Sequence, residues 1–313
     1  MAYYNQVSTP RFYTNVLEWL LSAGYDINVP RGYRTLPVSI DDNALGAYDG
    51  GEIDNLPKNI FTEKSFLAIL GHKAGGKEIG FMTEFTDAIN INADNGSDTQ
   101  RVKPSFDGYS IRSFDGNDYN DSIDVDMTIP EPDLQAGSII VGTYYEMSHS
   151  ADLNVNLSYE TSTKTIETKG GNTLSNTMHR PPLWGDLAAW TLHNPNDDTT
   201  HQLLKQSSRR IWDLSFSYID KSDTFSKYND INRYSNDVLS QDDLLHIEGE
   251  TLLDSDDFFS QVWNRVGTSN AFIFQPDKDT NEYAICKFDM KLLQFKQVAN
   301  SVYDIKLKIR EVW

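Results

Sequence analysis

The feature that most constrains this chain is an alternation of apolar and polar side chains with a period of two, recurring in separate segments. In "SVYDIKLKIREVW" (301–313), Tyr303, Ile305, Leu307 and Ile309 alternate with Asp304, Lys306, Lys308 and Arg310. That period puts one set on one face of a strand and the other set on the opposite face. The pattern runs up to Trp313, and chain ends fray unless something holds them, so this strand is expected to be built into a sheet. "IWDLSFSYID" (211–220) repeats it, with Trp212, Leu214, Phe216 and Tyr218 on one side. "IDVDMTI" (123–129) sets Ile123, Val125, Met127 and Ile129 against Asp124, Asp126 and Thr128, and "LNVNLSY" (153–159) aligns Leu153, Val155, Leu157 and Tyr159.

Continuous or weaker strand signals fill the intervals: "GSIIVGTYY" (137–145), "LAAWTL" (187–192), "AFIFQ" (271–275) and "YAICKF" (283–288). Short strands separated by turn residues predict a mainly β protein with antiparallel pairing. "DSDDFFSQVWNRVG" (254–267) reads as a helix with an acidic first turn, Arg265 in its last turn and Gly267 as a left-handed cap. Its stripe is Phe258, Phe259, Val262, Trp263 and Val266. Strand, helix and meander together predict a barrel-like unit over 206–313. Its packing and oligomer-forming positions are Trp212, Phe216, Phe259, Trp263, Tyr303, Ile305, Leu307 and Ile309. Residues 105–205 predict an antiparallel β-sandwich.

Residues 1–104 are expected to join the barrel unit. "STPRFYTNVLEWLLSAGYD" reads as a helix capped by Ser8 or Thr9, with Pro10 in its first turn, Phe12, Val16, Trp19 and Leu20 on one face, and Gly24 as its stop. "SFLAIL" and "IGFMTEF" read as the arms of a hairpin joined by "GHKAGGKE". The start has neither a basic nor an apolar region of a secretory signal, and no stretch is long and apolar enough to span a bilayer. A single cysteine, Cys286, excludes an internal disulfide framework.

The formal charge of −19 argues against wrapping nucleic acid, which requires dense Lys and Arg. It suits an acidic surface past which another polyanion can slide without sticking. Gly71, Gly76 and Lys77 fit the spacing of a phosphate-binding loop, but Glu78 stands where Ser or Thr must hold magnesium, and a strand follows instead of a helix. "DGNDYND" (115–121) lacks the closing Glu and flanking helices of a calcium loop. The six histidines show no metal-ligand spacing, and no Gly-x-Ser-x-Gly elbow occurs. Asp124 and Asp126 share a strand face where solvated charges belong. No catalytic, cofactor-binding or metal-ligating residue is therefore assigned. Tyr144, Tyr145 and Trp184 are the candidate ligand-facing aromatics, with core filling as the plainer role.

The segments "SIIVGTYYEMSHSADLNVNLSYE", "TKTIETKGGNTLSN", "PPLWGDLAAWTL", "RRIWDLSFSYID" and "AFIFQPDKDTNEYAICKFDMKLLQFKQVANSVYDIKLKIREVW" resemble virion structural proteins of tailed bacteriophages. The strand–helix–meander order is similar to the barrel module shared by tail-tube and distal tail proteins. The attached sandwich resembles their galectin-like or jelly-roll-like part. The resemblance implies a non-enzymatic distal tail or adaptor protein in the virion tail, assembled in the host cytoplasm. It implies a homo-oligomeric ring, commonly a hexamer, contacting tube, hub and fibre proteins around a channel for DNA ejection, with no cofactor and no membrane partner. A host-surface carbohydrate-binding virion protein is the alternative.

Overall fold

The structure, a computed structural model, describes residues 7–22, 24, 47–53, 62–70, 80–82, 89–90, 109–114, 123–128, 138–161, 163–177, 208–224, 256–280 and 283–312. Sixteen strands are present among them. In chain order they are β1 (Arg11–Asn15), β2 (Ala47–Ile53), β3 (Ser65–Leu70), β4 (Gly80–Met82), β5 (Ile89–Asn90), β6 (Tyr109–Phe114), β7 (Ile123–Thr128) and β8 (Ser138–Glu146). There follow β9 (Asn156–Thr161), β10 (Thr163–Glu167), β11 (Thr173–Thr177), β12 (Ser208–Asp220), β13 (Phe272–Gln275), β14 (Ala284–Phe288), β15 (Phe295–Ala299) and β16 (Val302–Glu311). The helical segments are α1 (Val16–Ser22), α2 (Lys221–Thr224), a π-helical turn α3 (Phe259–Trp263), and α4 (Asn264–Val266), which continues it.

Ten strands form one antiparallel sheet in the order β6-β3-β8-β1-β13-β14-β16-β12-β9, with β15 pairing β16 beside that path. Strands β2, β7, β4 and β5 make a second sheet, and β10 with β11 a two-stranded hairpin. The large sheet draws on all three expected parts of the chain. Strand β3 pairs β8, β1 pairs both β8 and β13, and β9 pairs β12.

The sheet is strongly curled. Trp212 on β12 and Phe274 on β13 are three strand spacings apart along the ladder, about 14 Å if the sheet were flat. Their ring centroids nevertheless lie 5.3 Å apart. Around the concave face Phe12 meets Phe258 at 5.4 Å, Phe274 at 5.3 Å and Phe272 at 5.8 Å. Phe258, Val262 and Val266 of the helical segment are buried in the same cluster. Asp257 begins that segment, its Oδ1 accepting the Ser260 N–H at 2.8 Å as N-cap residues do. Gly267 ends it with φ +55, a conformation that favours glycine.

The closing alternation is found in register. Ile309, Leu307 and Ile305 pair with Trp212, Leu214 and Phe216, and all six side chains are buried. On β12 the alternation breaks after Phe216, where a bulge shifts the register. Tyr218, expected on the buried side, is 77% exposed at φ +66, and Ile219 takes the buried place. The strand expected at 153–159 begins only at Asn156, leaving Leu153 exposed. "LAAWTL" lies outside the described residues.

Two local expectations need correction. The helix expected from Ser8 is a strand as far as Asn15 and a helix only afterwards. Phe12, Tyr13 and Thr14 are consecutive and all buried, which requires a strand covered on both faces. The cap is Asn15, whose Oδ1 accepts the Glu18 N–H at 3.3 Å, and Gly24 stops the helix at φ +85 as expected. The expected hairpin of "SFLAIL" with "IGFMTEF" does not form either. Strand β3 is an interior strand between β6 and β8, whereas β4 pairs β5 and β7. Consecutive burial of Phe66, Leu67 and Ala68 accounts for that interior position.

Gly142 shows how tightly β1 is seated. A Cβ there would lie 1.9 Å from the Thr14 carbonyl oxygen and 3.1 Å from the Phe66 ring. Since the clash is with backbone, Gly142→Ala should destabilise the fold by about 3 kcal/mol or more, at the upper end of overpacking costs. Urea unfolding followed by tryptophan fluorescence measures this, and an unchanged midpoint would show that β1 is not packed against β8 as described.

Candidate functional site

The eight positions expected to build the barrel unit divide by burial. Trp212, Phe216, Ile305, Leu307 and Ile309 are buried, while Phe259, Trp263 and Tyr303 are half-buried at the margins of the core. Trp263 still reaches Phe288, with ring centroids 5.3 Å apart. Of the candidate ligand-facing aromatics, Trp184 lies outside the described residues. Tyr144 and Tyr145 are adjacent on β8 and so point to opposite faces. Tyr145 is a core residue, contrary to a ligand-facing role. It pairs with Phe12 in register, packs against Phe258 at 5.7 Å, and donates its hydroxyl to the Asp223 carbonyl at 3.1 Å. Tyr144 is half-buried on the other face beneath the Arg11 guanidinium, 4.9 Å above its ring.

Three charged clusters hold elements together. Arg11 Nε and Lys278 Nζ both donate to Glu146, at 2.8 and 2.9 Å, tying β1 and the turn after β13 to β8. Partial burial of Glu146 opposes its ionisation, but the hydrogen bonds from Lys278 and Arg11 outweigh it and hold the carboxyl below its ordinary range. Glu311, fully buried, accepts from the Arg210 backbone N–H at 2.8 Å, from Nε at 3.2 Å and from Nη2 at 2.9 Å. Removing one partner of such a pair strands a buried charge at a cost of about 3–5 kcal/mol. Arg265, also buried, donates to Thr143 Oγ1, which in turn contacts Gln261 Oε1 at 3.2 Å. Burial lowers the guanidinium to about 10, against the raising influence of Asp257.

None of these clusters forms a catalytic or metal constellation. No group of three or more His, Cys, Asp or Glu able to hold a metal occurs among the described residues. Burial, and then Glu311, push the Cys286 thiol well up, which suits its place in the core. No helix among the described residues is long and apolar enough to cross a membrane. The loops 71–79 and 115–121, weighed for phosphate and calcium, lie outside the described residues; β4 follows the first of them as a strand.

The exposed features are more distinctive. The β10–β11 hairpin pairs only with itself among the described residues, and its Ile166 and Leu174 stand directly opposite each other, 55% and 61% exposed. Strands β6 and β9 end the ladder with no further strand beyond them among the described residues. The basic row of β16 faces outward, opposite Ile305, Leu307 and Ile309. There Lys308 pairs with Asp289 at 3.2 Å, Arg310 pairs with Glu160, and Lys306 is exposed. Sequence reasoning missed Glu311 as a buried ion-pair member. The available signal was its parity with Ile309 and Leu307, which puts a carboxylate on the apolar face.

No protein-family model matches the chain, and no curated protein or solved structure matches it. One consequence of the Glu146 cluster can be measured directly. Its carboxyl is lowered in the folded state, so it contributes stability above the ordinary glutamate range, near 4.3, and that contribution disappears as pH falls through the lower folded value. Thermal unfolding scanned downward from pH 6 should therefore show a smaller acid-induced loss for Glu146→Gln than for the parent chain. Identical slopes would mean that the Arg11–Glu146–Lys278 cluster carries no linked proton.

Proposed function

We propose that this chain is a non-enzymatic structural subunit of a bacteriophage tail, a distal tail or adaptor protein. In this reading it forms a homo-oligomeric ring, hexameric by the family resemblance, that joins the tail tube to the tip around a DNA channel. The curled sheet would serve as the tail-tube-like barrel module, with the helical segment α3–α4 packed in its concavity. The observation that carries the reading is the β10–β11 hairpin. A two-stranded hairpin without a further strand is at best marginally stable in water, and this one, which has no further strand among the described residues, places two aliphatic side chains against each other in solvent. Such an arm suits burial against a neighbouring copy. The acidic chain suits a conduit that must not retain DNA through phosphate contacts.

A host-surface carbohydrate-binding role draws less support. Tyr145 is internal and the Tyr144 ring lies under Arg11, so neither offers an open stacking face.

Mass photometry and negative-stain imaging of the full chain test the ring. The expected result is a discrete assembly with a central opening, and a monomer at every concentration would contradict it. Ile166→Ser combined with Leu174→Ser should weaken assembly by about 1–2 kcal/mol per side chain at that exposure. The melting temperature of the dissociated chain should stay within about a degree, since neither side chain packs in the core.

A further inference from the structure

The outer face of the large sheet around β16 carries a charge opposite to that of the protein. Pairing registers place Arg209, Lys287, Lys296, Lys306, Lys308 and Arg310 on this one face. These are six of the chain's 27 lysines and arginines. Five of its 46 carboxylates accompany them: Asp213, Asp220, Asp304, Glu160 and, from the loop after β14, Asp289. The face is therefore net +1, and the rest of the chain is −20.

Two of these charges are set against the sheet's own stability. Lys287 stands directly opposite Arg310 in register, and like charges in that position destabilise a pair of strands. Glu160 and Asp289 neutralise Arg310 and Lys308, whereas Lys287, Lys296 and Lys306 have no ion-pair partner among the described residues. Lys296 and Lys306 are exposed.

We propose that this basic face docks against an acidic surface of a second copy of the same chain, in a heterologous contact. The proposal rests on the ring reading and names the surface that makes the ring. Charge complementarity selects the partner, because a chain that is −20 outside this face carries a large excess of carboxylates elsewhere. It also selects the symmetry. The carboxylates of this face are already bonded to Lys308, Arg310 and neighbouring donors, so its three unpaired lysines gain little from their own image across a two-fold axis, and the contact joins two different surfaces, head to tail. Head-to-tail contacts generate closed rings, or filaments where the rotation does not close. Nucleic acid fits less well, since two of the cations are already neutralised and phosphate binding grows with the number of free ones.

The test compares the full-length chain with the K287Q/K296Q/K306Q variant by sedimentation velocity, between about 0.1 and about 1 M salt, where the screening length falls from ~10 to ~3 Å. Assembly of the parent chain should weaken as salt rises. The variant should associate at least about tenfold more weakly at low salt with little residual salt dependence, and its melting temperature should not fall, since K287Q removes a like-charge pair. The K287R/K296R/K306R variant should assemble like the parent. If the glutamine variant assembles as well as the parent, the docking face is refuted while the ring stands. If the parent is monomeric under all these conditions, both readings fall. If the glutamine variant instead loses salt-dependent binding of a short DNA duplex and keeps its self-association, the face belongs to nucleic acid and the proposal is overturned.

Discussion

Phe12 lies within 6.3 Å, centroid to centroid, of Phe258, Phe272, Phe274 and Phe288, which come from β13, β14 and the entrance to α3. A flat sheet cannot bring those rings together, so this cluster both requires the curl and stabilises it. The curl then carries Trp212 across the concavity to Phe274, and with it β12, β16 and the closing alternation. Because Phe12 is so far from the other rings in sequence, the N-terminal strand completes a core that the last hundred residues begin. The Arg11–Glu146–Lys278 cluster and the Gly142 contact with Thr14 fix the same strand from its edges.

Much of the C-terminal half was legible in the sequence, for a physical reason. A strand with one wet face must alternate, and β12 up to Phe216 and β16 do alternate, so their positions and the buried face of β16 followed directly. Strands buried on both faces carry no such signature. Phe12, Tyr13 and Thr14 on β1, and Phe66, Leu67 and Ala68 on β3, are consecutive buried residues, and a short apolar run is compatible with helix or strand. That ambiguity produced the misplaced helix start and the hairpin that does not form. Long-range pairing was likewise out of reach, because nothing local in "SFLAIL" states that its neighbours are β6 and β8.

The candidate surfaces were legible in part. The basic row on β16 was visible as a pattern, but its outward direction and its companions Lys287 and Lys296 came from register. The β10–β11 hairpin lies in a Thr- and Ser-rich stretch with little hydrophobic signal, and only its isolation from the large sheet makes Ile166 and Leu174 notable. These features share one logic. Side chains that burial leaves unused, an aliphatic pair in solvent and cations without partners, are the ones that a neighbouring copy would use.

Whether the basic outer face lies against another copy is most directly measured by zero-length carbodiimide cross-linking of assemblies reconstituted from equal parts of isotopically light and heavy chains. If copies dock as described, Lys287, Lys296 or Lys306 will be joined to Asp or Glu residues in light–heavy mixed pairs, and those links will fade at high salt. Cross-links from these lysines found only within single chains would contradict it.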